Sequence, residues 1–100
     1  MTEIRKPFVL LMQLSVEGAL GVESMPDRYD ELKDKARELG GKLTACYVTM
    51  GIYDVVATVL LPDNEAAMFL ALWLTEQGYF RTTTLPASDM SKWEFGGGKK

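Results

Sequence analysis

The sequence predicts an α+β domain in which four strands and two helices follow one another as β-α-β-β-α-β. Three observations carry this. Four short runs, at residues 7–14, 42–50, 53–61 and 79–85, are rich in β-branched, aromatic and aliphatic residues. Two longer stretches, 24–39 and 64–77, place apolar residues at helical spacing, and each is followed by glycine. Gly51-Ile52 separates the second and third strand runs by the length of a tight hairpin.

The first strand, 7–14, is a compact apolar run ending in Gln13 and Leu14. Residues 15–23 contain Gly18 and Gly21 and read as a loop with room for one helical turn. Ser24 then offers a hydroxyl to the free N–H groups of a helix start, with Asp27 three residues on and Pro26 in the first turn. Tyr29, Leu32, Ala36 and Leu39 form the apolar stripe, while Asp30, Lys33, Asp34 and Arg37 take the wet side. Gly40-Gly41 stops this helix. The strands 42–50 and 53–61 follow, joined by a two-residue type II′ turn at Gly51-Ile52. Pro62 ends the third strand, Asp63 caps the second helix, and Gly78 closes it. The run Thr82-Thr83-Thr84 favours extended structure in the last strand.

This order, with two right-handed crossovers around a central hairpin, is that of a ferredoxin-like sandwich: an antiparallel sheet in the order 4-1-3-2 with both helices on one face. The expected limits are an N-terminal tail at 1–6, the domain at 7–87 and a C-terminal tail at 88–100 with a flexible end, which Trp93 and Phe95 can tack onto the body. A two-residue turn makes Met50 face Tyr53, Val48 face Val55 and Cys46 face Ala57, on the helix side. The other face then carries Val9, Leu11, Leu43, Ala45, Tyr47, Val56 and Leu60, too apolar to stand in water. The second helix is also apolar around most of its circumference, at Met68, Phe69, Leu70, Leu72, Trp73 and Leu74. Both features predict a homo-oligomer, a dimer or larger, paired through the open sheet face; the alternative cover is the C-terminal tail.

Composition excludes several function classes. A net charge of −3, with the cations dispersed among carboxylates, does not suit nucleic acid. The longest apolar run, 66–74, falls well short of the roughly 20 residues of a membrane span, and the N-terminus lacks the pattern of a signal peptide. The single cysteine, Cys46, suits a reducing cytoplasm and reads as a core thiol. Histidine is absent, which removes the commonest general base and metal ligand, so no metal site and no cofactor are expected. What remains is a cluster of polar residues at one end of the sheet. Gln13, Thr49, Asp54 and Arg81 gather there, with Tyr47 and Tyr53 nearby, as candidate ligand-binding residues. Arg81 beside Asp54 is either an ion pair that organises strand ends or an anion anchor in a small pocket.

Residues 47–56, with Gly51, Tyr53 and Asp54 spelling Gly-x-Tyr-Asp, resemble the signature of the GYD domain family. Leu39, Gly40, Gly41, Lys42 and Leu43 before it, and Arg81, Thr82, Thr83, Thr84 and Leu85 after it, extend the resemblance over residues 8–85. It implies a place near the dimeric α/β-barrel group, in which two sheets pack face to face, and brings no catalytic role with it. Three functions follow: a small oligomeric module that binds a small molecule or a protein, a cofactor-free enzyme such as a small monooxygenase or isomerase, or a structural subunit of an oligomer.

Overall fold

The computed structural model describes residues 5–94. Strand β1 (Lys6–Leu14) leads into a short helix α1 (Val16–Leu20) and a 3-10 turn over Val22–Ser24. Helix α2 (Met25–Glu38), strands β2 (Lys42–Val48) and β3 (Val55–Leu61), helix α3 (Asn64–Gln77) and strand β4 (Phe80–Pro86) follow, with a second 3-10 turn over Met90–Lys92. The strands form one antiparallel sheet in the order β2-β3-β1-β4, which is the expected 4-1-3-2 order read from the opposite edge.

The period-two rule divides the sheet cleanly. Phe8, Leu10 and Met12 of β1 and Val55, Ala57, Val59 and Leu61 of β3 are buried beneath the helices. They form one core with Leu32 and Ala36 of α2 and Ala66, Ala67, Leu70 and Leu74 of α3. Both long helices therefore lie on the same face. Asp63 caps α3 by accepting the Ala66 N–H at 2.9 Å, and Gly40 and Gly78 leave their helices in the left-handed conformation. Cys46 pairs with Ala57 and Val48 with Val55, as the sequence predicts.

Four local expectations are corrected. Ser24 does not cap α2, because the preceding 3-10 turn gives its own backbone a turned conformation rather than the extended one a cap needs. Ser15 is the capping serine: its hydroxyl accepts the Gly18 N–H at 3.0 Å and donates to the Gly78 carbonyl at 2.6 Å, docking α1 onto the start of β4. The buried stripe of α2 is Arg28, Leu32 and Ala36, whereas Tyr29 is 44% exposed. A bulge between Leu43 and Ala45 slips the register of β2, so Leu43 pairs with Val59 and packs on the core instead of the open face.

The fourth correction is the β2–β3 connection. Gly51 has the positive φ that a tight turn requires, +120°, yet the turn is wider than two residues and Met50 does not pair with Tyr53. The loop spans residues 50–53 and is closed by the Thr49 N–H donating to the Asp54 carbonyl at 2.8 Å and the Thr49 hydroxyl donating to the Tyr53 carbonyl at 2.6 Å. Asp54 is drawn toward β1 instead of continuing the hairpin ladder, for reasons that lie in the candidate site.

Candidate functional site

At the end of β1 the half-buried Asp54 is bonded through both backbone and side chain. Its N–H donates to the Met12 carbonyl at 2.8 Å, and its carboxylate accepts the Leu14 N–H at 2.7 Å. A β-strand that runs out of partner leaves unpaired N–H groups, and the carboxylate supplies the acceptor that the ladder lacks. The Gln13 amide donates to the Ile52 carbonyl at 3.1 Å, holding the same loop from the other sheet face. Of the six expected site residues, Gln13, Thr49 and Asp54 thus spend hydrogen bonds on fixing the loop 50–53 against β1, and Tyr53 contributes its carbonyl.

Arg81 pairs across β4 with Gln13 and is exposed, and it makes no ion pair with Asp54 among the described residues. Tyr47, 63% exposed, pairs with Val56 across β2 and β3. Gln13, Arg81 and Tyr47 therefore share the open sheet face with Val9, Leu11, Val56, Thr58, Leu60, Thr83 and Leu85. No helix of the described residues packs on this face, since every buried sheet residue points the other way.

A cavity of about 120 Å³ lies on the helix side, between α2, α3 and the near ends of β1, β2, β3 and β4. Met12, Met25, Leu32, Val55, Trp73, Leu74 and Phe80 make most of its wall, with Arg28, Cys46, Gln77 and Tyr79 as the polar members and Tyr29, Glu31 and Val48 at its exposed rim. None of the six expected site residues lines it. Burial pushes the Cys46 thiol above its ordinary value, which keeps it protonated and unreactive near neutrality, in line with a core thiol.

Arg28 is the feature that sequence reasoning missed. It is only 7% exposed, the one buried charged side chain among the described residues. Its two terminal nitrogens donate to the Gly18 carbonyl at 3.0 Å and the Gly21 carbonyl at 2.6 Å, tying α1 and the following turn to α2. The guanidinium lies over the Tyr79 ring at 4.1 Å from its centroid and is 5.9 Å from that of Phe80. Its Nε is buried without a partner. The signal was present in the spacing: Arg28 stands four residues before Leu32 and eight before Ala36, in line with the apolar stripe.

A second, wider cleft of about 580 Å³ lies at the opposite end, lined by Arg5, Lys6, Pro7, Phe8, Leu60, Asn64 and the segment 86–93. Trp93 is in its wall, half-exposed, with its indole N–H donating to the Ser88 hydroxyl at 2.7 Å. The tail thus folds back at one end of the sheet; the expected contribution of Phe95 lies outside the described residues. Asp89 caps the 3-10 turn of this tail, and its hydrogen bonds from the Ser91 hydroxyl and N–H hold its carboxyl below the usual range. Among the described residues no helix is long and apolar enough to cross a membrane, and no group of three or more His, Cys, Asp or Glu side chains is placed to hold a metal ion.

Comparison with known proteins gives two findings. The GYD domain matches residues 8–94, which takes in the sheet from the third residue of β1 onward, both long helices and the folded-back tail. A curated protein of Thermus thermophilus, "Glutamine synthetase and cystathionine beta-lyase binding protein", is 31% identical over 81 residues, covering 80% of this chain and 85% of that protein.

Proposed function

The chain belongs to the GYD domain family, and from that premise we propose that it is a small non-enzymatic module that pairs with a second copy of itself and binds another protein. One observation carries the reading: two apolar surfaces lie uncovered among the described residues. The first is the open sheet face. The second is the outer side of α3, where Met68, Phe69 and Leu72 are 63%, 51% and 61% exposed. A helix that covers one face of a small sheet needs a single apolar stripe, and α3 already has one in Ala66, Ala67, Leu70 and Leu74. Apolar area of this extent on both sides of a thin sandwich marks interfaces.

The sheet face pairs with its copy. It carries Leu11, Val9 and Val56 at its middle, with Gln13 and Arg81 at one end and Leu85 at the other. The α3 surface then remains outermost on each subunit and takes the protein partner. A relative whose name states that it binds glutamine synthetase and cystathionine beta-lyase supports a partner that is itself a protein. A single cysteine, Cys46, fits a reducing cytoplasm as the place of action. Gln13, Tyr47 and Arg81 contribute to the sheet-face pairing, and Thr49, Tyr53 and Asp54 hold the loop at its polar rim, where any small molecule held between two copies would sit.

Sedimentation equilibrium tests the pairing. The wild-type chain is expected to be a dimer or larger at micromolar concentration, and Leu11→Lys, which puts a charge in the middle of the sheet face, is expected to be a folded monomer. A wild-type monomer at all accessible concentrations refutes the pairing. Binding is tested separately by titrating glutamine synthetase and cystathionine beta-lyase from the same organism. Met68→Glu with Leu72→Glu is expected to abolish an interaction that Leu11→Lys leaves measurable. Binding that survives the double change removes α3 as the partner surface.

A further inference from the structure

We propose that the cavity between the two long helices and the sheet is a binding site for a small free carboxylic acid with a single ring or a compact branched skeleton, and that Arg28 receives its carboxylate. The inference stands apart from the sheet face and from the α3 surface, on the opposite side of the sheet from the one and beneath the other.

The electrostatics of Arg28 come first. A charge withdrawn from water is costly unless it is paired. Arg28 is only 7% exposed, and its hydrogen bonds go to neutral acceptors, the carbonyls of Gly18 and Gly21 and the Met25 sulfur. No carboxylate pairs with it among the described residues. Tyr79 beneath its plane offsets part of the charge. The Nε–H has no acceptor at all. Buried N–H groups are almost always bonded, so an orphan on a cation at a cavity wall points to an acceptor supplied from outside the chain. Gln77, also in that wall, has a side-chain amide that offers a second donor.

The cavity decides the remainder of the ligand. Its volume of about 120 Å³ compares with the roughly 150 Å³ of an apolar cavity that takes up benzene, so one ring or its aliphatic equivalent is the limit. Met12, Leu32, Trp73, Leu74 and Phe80 give it an apolar lining, which suits a hydrocarbon body with a single polar end. Met25, whose sulfur accepts from Nη1 at 3.7 Å, lines the cavity beside Arg28. A rotamer change of this flexible side chain brings the edge of the guanidinium into the cavity. Glu31 at the rim is exposed to solvent, where its charge is screened.

The test uses the full chain with Trp93→Phe, which leaves Trp73 in the cavity wall as its sole indole. Benzoate, benzyl alcohol and benzylammonium are titrated while Trp73 fluorescence and the Arg28 Nε–H resonance are followed. Benzoate is expected to saturate with a Kd of about 1 mM or tighter and to shift the Arg28 Nε–H signal. Benzyl alcohol is expected to bind at least about tenfold more weakly, and benzylammonium not measurably, because neither offers the guanidinium a negative charge. Arg28 variants risk releasing α1, so the control is Val48→Trp, at a rim position that is 76% exposed, which closes the entrance while keeping every Arg28 contact. Because this variant carries a second indole, it is read by the Arg28 Nε–H resonance alone, and the benzoate-induced shift of that signal is expected to vanish. Equal affinity for benzyl alcohol, binding that survives Val48→Trp, an unmoved Arg28 signal, or no saturable benzoate binding each overturns the proposal.

Discussion

Replacing Asp54 by alanine removes the acceptor for the Leu14 N–H and leaves that donor at the end of a central strand with no partner. Hydrogen bonds to charged groups contribute about 1.5–3 kcal/mol, and an orphaned donor costs about 1–3 kcal/mol when fully withdrawn from water. The site is half-buried, so water recovers part of the loss, and the expected cost is about 2 kcal/mol. For a domain of this size that corresponds to a fall in Tm of roughly 10 °C. Asp54→Asn keeps an oxygen where the carboxylate oxygen stood and forfeits only the charge assistance, so its cost should stay near about 0.5–1 kcal/mol. Urea unfolding of the three proteins, followed by circular dichroism, gives the ranking, and amide exchange at Leu14 identifies the bond. Protection there should be lost in the alanine variant and mostly kept in the asparagine variant. An alanine variant within about 0.5 kcal/mol of wild type refutes the capping role. Equal losses for Asn and Ala would mean that the charge matters and the hydrogen bond does not.

Two further predictions concern the helix side of the sheet. Thr84 has a buried hydroxyl with no partner, so Thr84→Val, nearly isosteric, should raise stability by about 1 kcal/mol in urea unfolding; a loss would show that the hydroxyl is bonded. Cys46 holds its proton more tightly in the folded protein than in the unfolded chain, so its contribution is constant below the ordinary thiol value of about 8.5 and falls as pH rises through it. Unfolding measured from pH 7 to 10 should therefore show wild type losing stability with pH more steeply than Cys46→Ala, and parallel curves would refute the burial of the thiol.

What was legible in the sequence was chemistry confined to neighbours along the chain. Asp63 before an apolar run and glycine after one are local devices, and they sit at the helix ends where the spacing puts them. The alternation in β1 and β3 separates core from open face residue by residue. Less legible was anything decided by a partner distant in sequence. The bulge after Leu43 depends on Thr44, whose hydroxyl lies 2.9 Å from the Thr58 carbonyl and 2.6 Å from the Thr58 hydroxyl across the pair. Ser24 and Ser15 look alike in sequence; the 3-10 turn that ends at Ser24 and the arrival of Gly78 beside Ser15 distinguish them. Arg28 resembles any helical arginine until Gly18, Gly21 and Tyr79 close around it. Gly51 takes the positive φ of a tight turn, yet the width of its turn is set by β1, which captures Asp54.

That capture also separates the family signature from function. Gly51, Tyr53 and Asp54 make a loop and tether it, through the Met12 carbonyl and the Leu14 N–H, to β1. Met12 and its partner Val55, the two residues immediately inside the tether, face the helices and form part of the cavity wall. Gln13, the residue between the two tethered groups, faces the other way and holds the loop from the open sheet face. The signature thus fixes the strand ends from which both surfaces are built, and its own polar atoms are largely consumed in doing so. A substitution at Asp54 should accordingly disturb the cavity and the sheet face together, whereas Val48→Trp acts on the first and Leu11→Lys on the second. Functional differences between chains that share this loop should therefore be sought in the side chains lining those surfaces and the outer side of α3, since the loop supplies the frame common to all three.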